Sequence, residues 1–276
     1  MNTRYLSNLA QTKELIKVYN LETSKKLGQN FLTDDSITDQ ILSHLPSLSG
    51  KTILEVGPGP GGLTRSILFR EPKILYAIEY DHHCIPILHM IENEAGGVLK
   101  VIEGDALQFD ENTIEGKISI IANLPYNIGS SLVLKWLDNI DKFEFIAVML
   151  QKEVAERLCA KTSSKDYGRL SIIAQSVADA DILFEIEPHH FYPPPKVTSA
   201  VLRLIPKSNR KKIDLKLLSR ITAAAFGLRR KKIKTSMKSI IIEAELASLG
   251  IDSNKRAEDL TVSEYMQITE FLMRAK

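Results

Sequence analysis

The stretch "TILEVGPGPGGLTRSILFR", residues 52–70, constrains the fold more than any other in the chain. A short β-branched apolar run breaks at glycines, and a helical pattern begins at once. A strand that feeds a helix through a glycine turn is the start of a βαβ unit, because parallel strands need a long crossover. The pattern then repeats. "KILYAIE" (73–79), "VLKVIEG" (98–104), "KISIIAN" (117–123) and "FEFIAVML" (143–150) read as strands, with "HHCIPILHMIENE" and "SSLVLKWLDNI" as helices between them. Strands alternating with helices predict an α/β fold, a parallel sheet covered on both faces. Segments around 170–187 and 197–205 read as two more strands. Between them "PHHFYPPPK" holds too much proline for a helix or a central strand. Ahead of the repeat, the first 24 residues read as a polar, partly helical arm. A helix follows from about Ser36 to His44, with Asp34, Asp35 and Ser36 as cap candidates. After Pro206 the texture turns helical, which places the boundary of a small helical domain near Lys207.

Net charge is +2, but it is unevenly spread. From Lys207 onward there are 16 Lys and Arg against 8 Asp and Glu, and residues 1–206 hold 20 against 26. That asymmetry suggests a polyanionic partner touched mainly by the tail, the bland alternative being a solvated helical face. Lys25, Lys26, Arg229, Arg230, Lys231, Lys232 and Lys234 are the candidate phosphate contacts. Cys84 and Cys159 form no CxxC pair and are expected as free thiols in a reducing compartment. His82-His83 and His189-His190 lack acidic or Cys partners at ligand spacing, so no metal site is expected. No apolar run approaches a membrane span and no signal peptide is evident, so a cytoplasmic protein with no membrane partner is expected. No heptad or exposed apolar segment calls for a dimer, so a monomer is expected.

Chemistry is expected at the strand ends. Gly57, Gly59 and Gly62 satisfy GxGxxG, and Glu79 ends the next strand twenty positions after Gly59. A carboxylate there can take two ribose hydroxyls, so turn and acid together point to an adenosine-containing cofactor. Asp105, after the third strand, can accept from an adenine amine or can simply cap a turn. The fourth strand ends in Asn123-Leu124-Pro125-Tyr126. Pro125 stops the strand and holds Leu124 extended. A neutral amide, unpaired carbonyls and an aromatic face then lie side by side. That set suits an exocyclic amine on a planar base, whose lone pair two acceptors on its N–H groups would expose.

"KKLGQNFL", "LEVGPGPGGLT", "GDAL", "NLPYNI", "QKEVAERL", "YGRLS", "FYPPPKVTSAV", "FGLRRKKI" and "RAEDLTVSEY" occur here in one order. In that order they resemble the bacterial small-subunit ribosomal RNA adenine dimethyltransferases. The resemblance runs from about residue 25 to the end. It implies a Rossmann-like S-adenosylmethionine-dependent methyltransferase domain (25–206), a small helical C-terminal RNA-binding domain (207–276) and a variable N-terminal arm (1–24) without assigned role. It implies dimethylation of two adjacent adenosines in the 3′-terminal hairpin loop of 16S rRNA, with S-adenosyl-L-methionine as donor, S-adenosyl-L-homocysteine as product and a place in small-subunit biogenesis. By the same resemblance Asn30, Leu32, Gly57, Glu79, Asp105 and Asn123 contact the cofactor, beside Gly59 of the turn. Asn123 and Leu124 hold the target amine, Pro125 shapes the turn, and Tyr126 and Phe191 stack on the adenine. "AIEYDHHC" departs from the family, which more often has Arg or Lys after its acids. Three alternatives stay open: a dinucleotide oxidoreductase, a resistance-type methyltransferase of large-subunit rRNA, and a non-enzymatic assembly factor.

Overall fold

The alternation is realised as a seven-stranded sheet with helices between its strands. In a computed structural model, residues 10–23, 27–208, 210–228 and 230–274 are described. In chain order the elements are α1 (Thr12–Val18), β1 (Phe31–Leu32), α2 (Asp35–Ser43), β2 (Thr52–Val56), α3 (Gly62–Leu68), β3 (Ile74–Glu79) and α4 (Ile85–Glu94). Then come β4 (Leu99–Glu103), β5 (Ile118–Asn123), α5 (Gly129–Asp138), β6 (Phe143–Gln151), α6 (Lys152–Cys159), α7 (Arg169–Val177), β7 (Ala178–Ile186), β8 (Phe191–Tyr192) and β9 (Ser199–Pro206). The chain ends in α8 (Leu215–Gly227), α9 (Ile233–Ser236), α10 (Glu243–Ser248) and α11 (Val262–Arg274).

Strand order in the large sheet is β4-β3-β2-β5-β6-β9-β7. β2 pairs in parallel with β3 and with β5, and β9 runs antiparallel to β6. The chain leaves β2 toward β3 and β4, then returns to β5 on the other side. A doubly wound sheet opens a crevice at such a reversal, outside the carboxyl ends of the strands. The central strands are buried on both faces, which is why they read as unbroken apolar runs: Ile53, Leu54, Ile118 and Ile120 are all fully enclosed.

Two compact units result. One comprises 1–152 with 181–205, the other 153–180 with 206–276. The stretch 153–180, placed with the methyltransferase domain in the sequence reading, thus packs with the C-terminal helices. The segment around 170–187, read as one strand, is corrected: Arg169–Val177 is helix and β7 begins at Ala178. Ser171, Ile172, Ile173, Ala174, Ser176 and Val177 are all buried in that helix. A helix enclosed nearly all round shows no polar face and hence no 3.6-residue period. Its serines are satisfied internally, with the Ser171 hydroxyl donating to Arg157 O at 2.6 Å.

The N-terminal arm is less peripheral than its composition suggests. Leu15 and Ile16 of α1, and Leu21 after it, belong to the core of the first unit. Arg65 Nη1 of α3 donates to Ala10 O at 2.8 Å. A second, two-stranded sheet pairs β1 with β8, Phe31 opposite Tyr192 and Leu32 opposite Phe191. Asp34 caps α2 as expected, accepting from Ser36 N at 3.0 Å.

Candidate active site

The crevice at the sheet reversal holds a cavity of about 220 Å³. Four strand ends line it: Val56, Gly57 and Gly59 at the end of β2, Ile78 to Tyr80 at β3, Gly104 to Leu107 after β4, and Asn123 to Ile128 at the end of β5. Leu27 to Phe31 close it from the segment entering β1. Of the expected site residues, Asn30, Gly57, Gly59, Glu79, Asp105, Asn123, Leu124, Pro125 and Tyr126 therefore line one cavity.

Gly57 has φ +67°, a left-handed conformation suited to glycine. A Cβ there would come within 3.6 Å of Pro125 and 3.7 Å of the Asn123 carbonyl. The missing side chain leaves room between the first and fourth strand ends. At Gly59, also left-handed, a Cβ would collide with the Phe31 ring at 2.8 Å, so this ring sits directly on the turn.

Glu79 is buried, and both its oxygens are anchored by backbone donors. Gly59 N donates to Oε2 at 2.9 Å and Asp81 N to Oε1 at 2.8 Å. Burial raises its pKa, against those two hydrogen bonds. A carboxylate offers about four lone-pair positions, so acceptor capacity remains for a vicinal diol. Asp105 caps a turn at the cavity wall. Its Oδ1 accepts from Leu107 N at 2.9 Å and its Oδ2 from Gln108 Nε2 at 3.2 Å, so it caps a turn while lining the cavity.

The Asn123 side chain is oriented by the segment before β1: its Nδ2 donates to Asn30 O at 2.8 Å. With the amide nitrogen committed there, Oδ1 is the atom left to accept from a ligand. Tyr126 is fixed by its hydroxyl, 2.6 Å from Ser199 Oγ on β9. Burial raises the phenol pKa, partly offset by that hydrogen bond. The ring is thus a neutral, held surface.

Two expected residues lie elsewhere. Leu32 and Phe191 face each other across the small sheet, both buried, and neither lines the cavity. Phe31, one position before Leu32, is the wall instead. Sequence reading missed it and also Tyr80, an exposed aromatic at the mouth.

Arg230, Lys231 and Lys232 are exposed in the turn between α8 and α9, and Lys234 follows within α9. Lys232 Nζ donates to Asn254 Oδ1 at 3.0 Å, and Lys234 pairs with Glu243 at 3.6 Å. Lys25, Lys26 and Arg229 lie outside the described residues. The histidine pairs do have acidic partners, contrary to the sequence reading. His83 Nδ1 is 2.8 Å from Asp81 Oδ1, and His190 Nδ1 is 2.8 Å from Asp34 Oδ2. Adjacency in sequence hid the first partner, and a separation of 156 residues hid the second. No helix among the described residues is long and apolar enough to cross a membrane.

Residues 20–274 match the ribosomal RNA adenine dimethylase family. The chain belongs to that family. It is an S-adenosylmethionine-dependent rRNA adenine dimethyltransferase. It is 41% identical to a "Ribosomal RNA small subunit methyltransferase A" of Azorhizobium caulinodans, over 98% of this chain and 96% of that protein. It is 44% identical to one of the same name from Dinoroseobacter shibae, over 94% and 95%. Among solved structures, a dimethyladenosine transferase from Plasmodium falciparum aligns with TM-score 0.76 at 24% identity, covering 88% of this chain and 98% of that one, which establishes the shared fold. The doubly wound sheet and glycine turn are therefore those of a methyltransferase, and the dinucleotide oxidoreductase alternative falls.

Proposed function

We propose that this chain dimethylates the exocyclic amines of two adjacent adenosines in the 3′-terminal hairpin loop of 16S rRNA, within the small subunit or its assembly precursor. It would act as a cytoplasmic monomer without a metal. The names of relatives at 41% and 44% identity support the small-subunit substrate. The observation that carries the chemistry is the Asn123 amide, locked by Asn30 with Oδ1 as its remaining acceptor.

The cavity fits the donor. Glu79 would take the ribose hydroxyls, Asp105 the adenine amine, and the Gly57–Gly59 turn would let the backbone close on the ligand. Asn30 would contribute at the Asn123 end. S-adenosylmethionine, when bound, supplies an electrophilic methyl and departs as the neutral thioether S-adenosylhomocysteine. The protein's part is to position the amine. An adenine amine is a poor nucleophile because its lone pair is delocalised into the ring. Asn123 Oδ1 and the Leu124 carbonyl, accepting its two N–H groups, would favour a pyramidal nitrogen with its lone pair exposed. No charged base is required, since the leaving group is neutral and the proton can depart late. After the first transfer the amine keeps one N–H and a lone pair, so the same pocket serves the second.

The target base must leave its stack, at a cost of a few kcal/mol that is smaller in a loop. Stacking on Tyr126 would return on the order of 1–3 kcal/mol. Phosphate contacts of the basic residues in the second unit would supply much of the affinity.

The test is methyl transfer from labelled S-adenosylmethionine to undermethylated small subunits, with large subunits in parallel, followed by nucleoside separation. Dimethyladenosine from small subunits alone is expected. Label in the large subunit would move the chain to the resistance branch. No label in either, with cofactor still bound, would favour the assembly-factor alternative.

A further inference from the structure

The loop between β4 and β5 carries Asp105, Ala106 and Leu107 into the cavity wall, yet its regular structure is a single 3₁₀ turn, Glu111–Thr113. Backbone carbonyls in such a loop need partners from elsewhere. On the upstream side Gly104 N donates to Glu79 O at 2.8 Å, which ties the loop to β3. On the downstream side the tie nearest Asp105 is Lys135 of α5. Its Nζ donates to Ala106 O at 2.9 Å, to Phe109 O, and to Glu111 Oε1 at 2.7 Å. An ammonium has three N–H donors, and all three are spent on this one loop. The Trp136 indole N–H adds a bond to the same Glu111 oxygen at 2.8 Å. Glu111 is buried, so Lys135 also neutralises a carboxylate that would be costly alone.

By contrast, the bonds of Asp105 are local. They run to Leu107 and Gln108 and shape the turn without fixing it to the rest of the unit. Asn139 and Lys142 hold the far end of the loop, at Asn112 and Ile114, so the ties nearest that carboxylate are Gly104 on one side and Lys135 on the other. We propose that Lys135 is a positioning residue for the adenine end of the cofactor pocket, holding Ala106 to Glu111 so that Asp105 meets the cofactor amine. This rests on the assignment of Asp105 given above. A lysine whose only task were solubility would not spend every donor on one loop.

The experiment is calorimetric binding of S-adenosylhomocysteine to the full chain and four variants: Lys135→Met, Lys135→Arg, Asp105→Ala and the Lys135→Met/Asp105→Ala double variant. Melting curves set the temperature at which all are folded. Lys135→Met keeps the aliphatic stem and is expected to weaken binding about tenfold. Lys135→Arg, which keeps charge and donors, should recover part of the loss. The double variant should bind no more weakly than Asp105→Ala, because two residues acting through one contact are not additive. Multiplying effects would assign Lys135 to general stability and overturn the proposal. Unchanged affinity in Lys135→Met, with Asp105→Ala weakened, would overturn it while sparing the Asp105 assignment. Unchanged affinity in Asp105→Ala would overturn both. If Lys135→Met melts too low to titrate, Lys135→Gln carries the same cycle.

Discussion

Glu55 is the next-to-last residue of β2, 1% exposed, with Oε2 lacking a hydrogen-bond partner among the described residues. Burial pushes its pKa up to about 8, against the neighbouring Thr64 hydroxyl and with help from the charge of Glu79. An unfolded chain would ionise this group near 4.5. The folded state thus holds a proton that the unfolded state releases. Its contribution to stability is full below about pH 4.5 and is lost as pH rises toward about 8. At 1.36 kcal/mol per unit, the loss between about pH 5 and pH 7 amounts to about 2–3 kcal/mol. Glu55→Gln keeps the shape and removes the titration. The variant should therefore gain about 2–3 kcal/mol on the wild type over that same interval. Urea unfolding at a series of pH values measures this, followed by the fluorescence of Trp136, which is the chain's one tryptophan and lies in the same unit as Glu55. Using a local reporter matters because the two units need not unfold together. Parallel pH profiles for variant and wild type would refute the reasoning, since they would place the Glu55 proton equally in both states.

Asn123→Ala should slow methyl transfer by about 10²–10³-fold with cofactor affinity less affected, by analogy with loss of one preorganised polar group; single-turnover rates on small subunits decide it. Glu79→Ala should weaken S-adenosylhomocysteine by roughly 10²-fold, removing both the ribose acceptor and the anchor of the glycine turn at Gly59 N, and calorimetry reads the change. Phe191 is buried and outside the cavity, so Phe191→Ala should cost about 3 kcal/mol of stability. Chemical denaturation checks this, and an equally stable but slow variant would restore its stacking role. Replacing Arg230 and Lys231 by alanine should weaken subunit binding at all sequences and flatten the salt slope by about 1 for each phosphate no longer neutralised, as filter binding across salt concentrations would show.

Much of the site was legible because the fold makes it so. In a parallel sheet with helical crossovers every strand ends at one edge, so Gly57, Glu79, Asp105 and Asn123 had to converge once the alternation was recognised. What stayed hidden depends on tertiary packing that no local pattern encodes. Helix α7 is enclosed nearly all round beyond its first turn, so its apolar run shows no clear polar face. Lys135 reads as an ordinary helix lysine, and only the loop against which α5 packs gives its donors a purpose. The arm before β1 looked polar, yet Leu15, Ile16 and Leu21 supply core. Phe31 was passed over for Leu32 because which of two adjacent apolar residues faces the cavity is decided by pairing with β8, about 160 positions further on.

That pairing also sets when the pocket can exist. Phe31 and Leu32 find their strand partners only at Tyr192 and Phe191, and Thr33 N reaches His190 O at 3.2 Å. A chain emerging from synthesis would hold its glycine turn, its ribose acid and its Asn-Leu-Pro-Tyr corner long before the segment that secures their front wall. Closing so long a loop comes late and costs entropy before it returns any stabilisation. Tight cofactor binding is therefore a property of the nearly finished chain, and a truncated product ending before residue 191 would carry most of the site's side chains without a pocket to close around the donor.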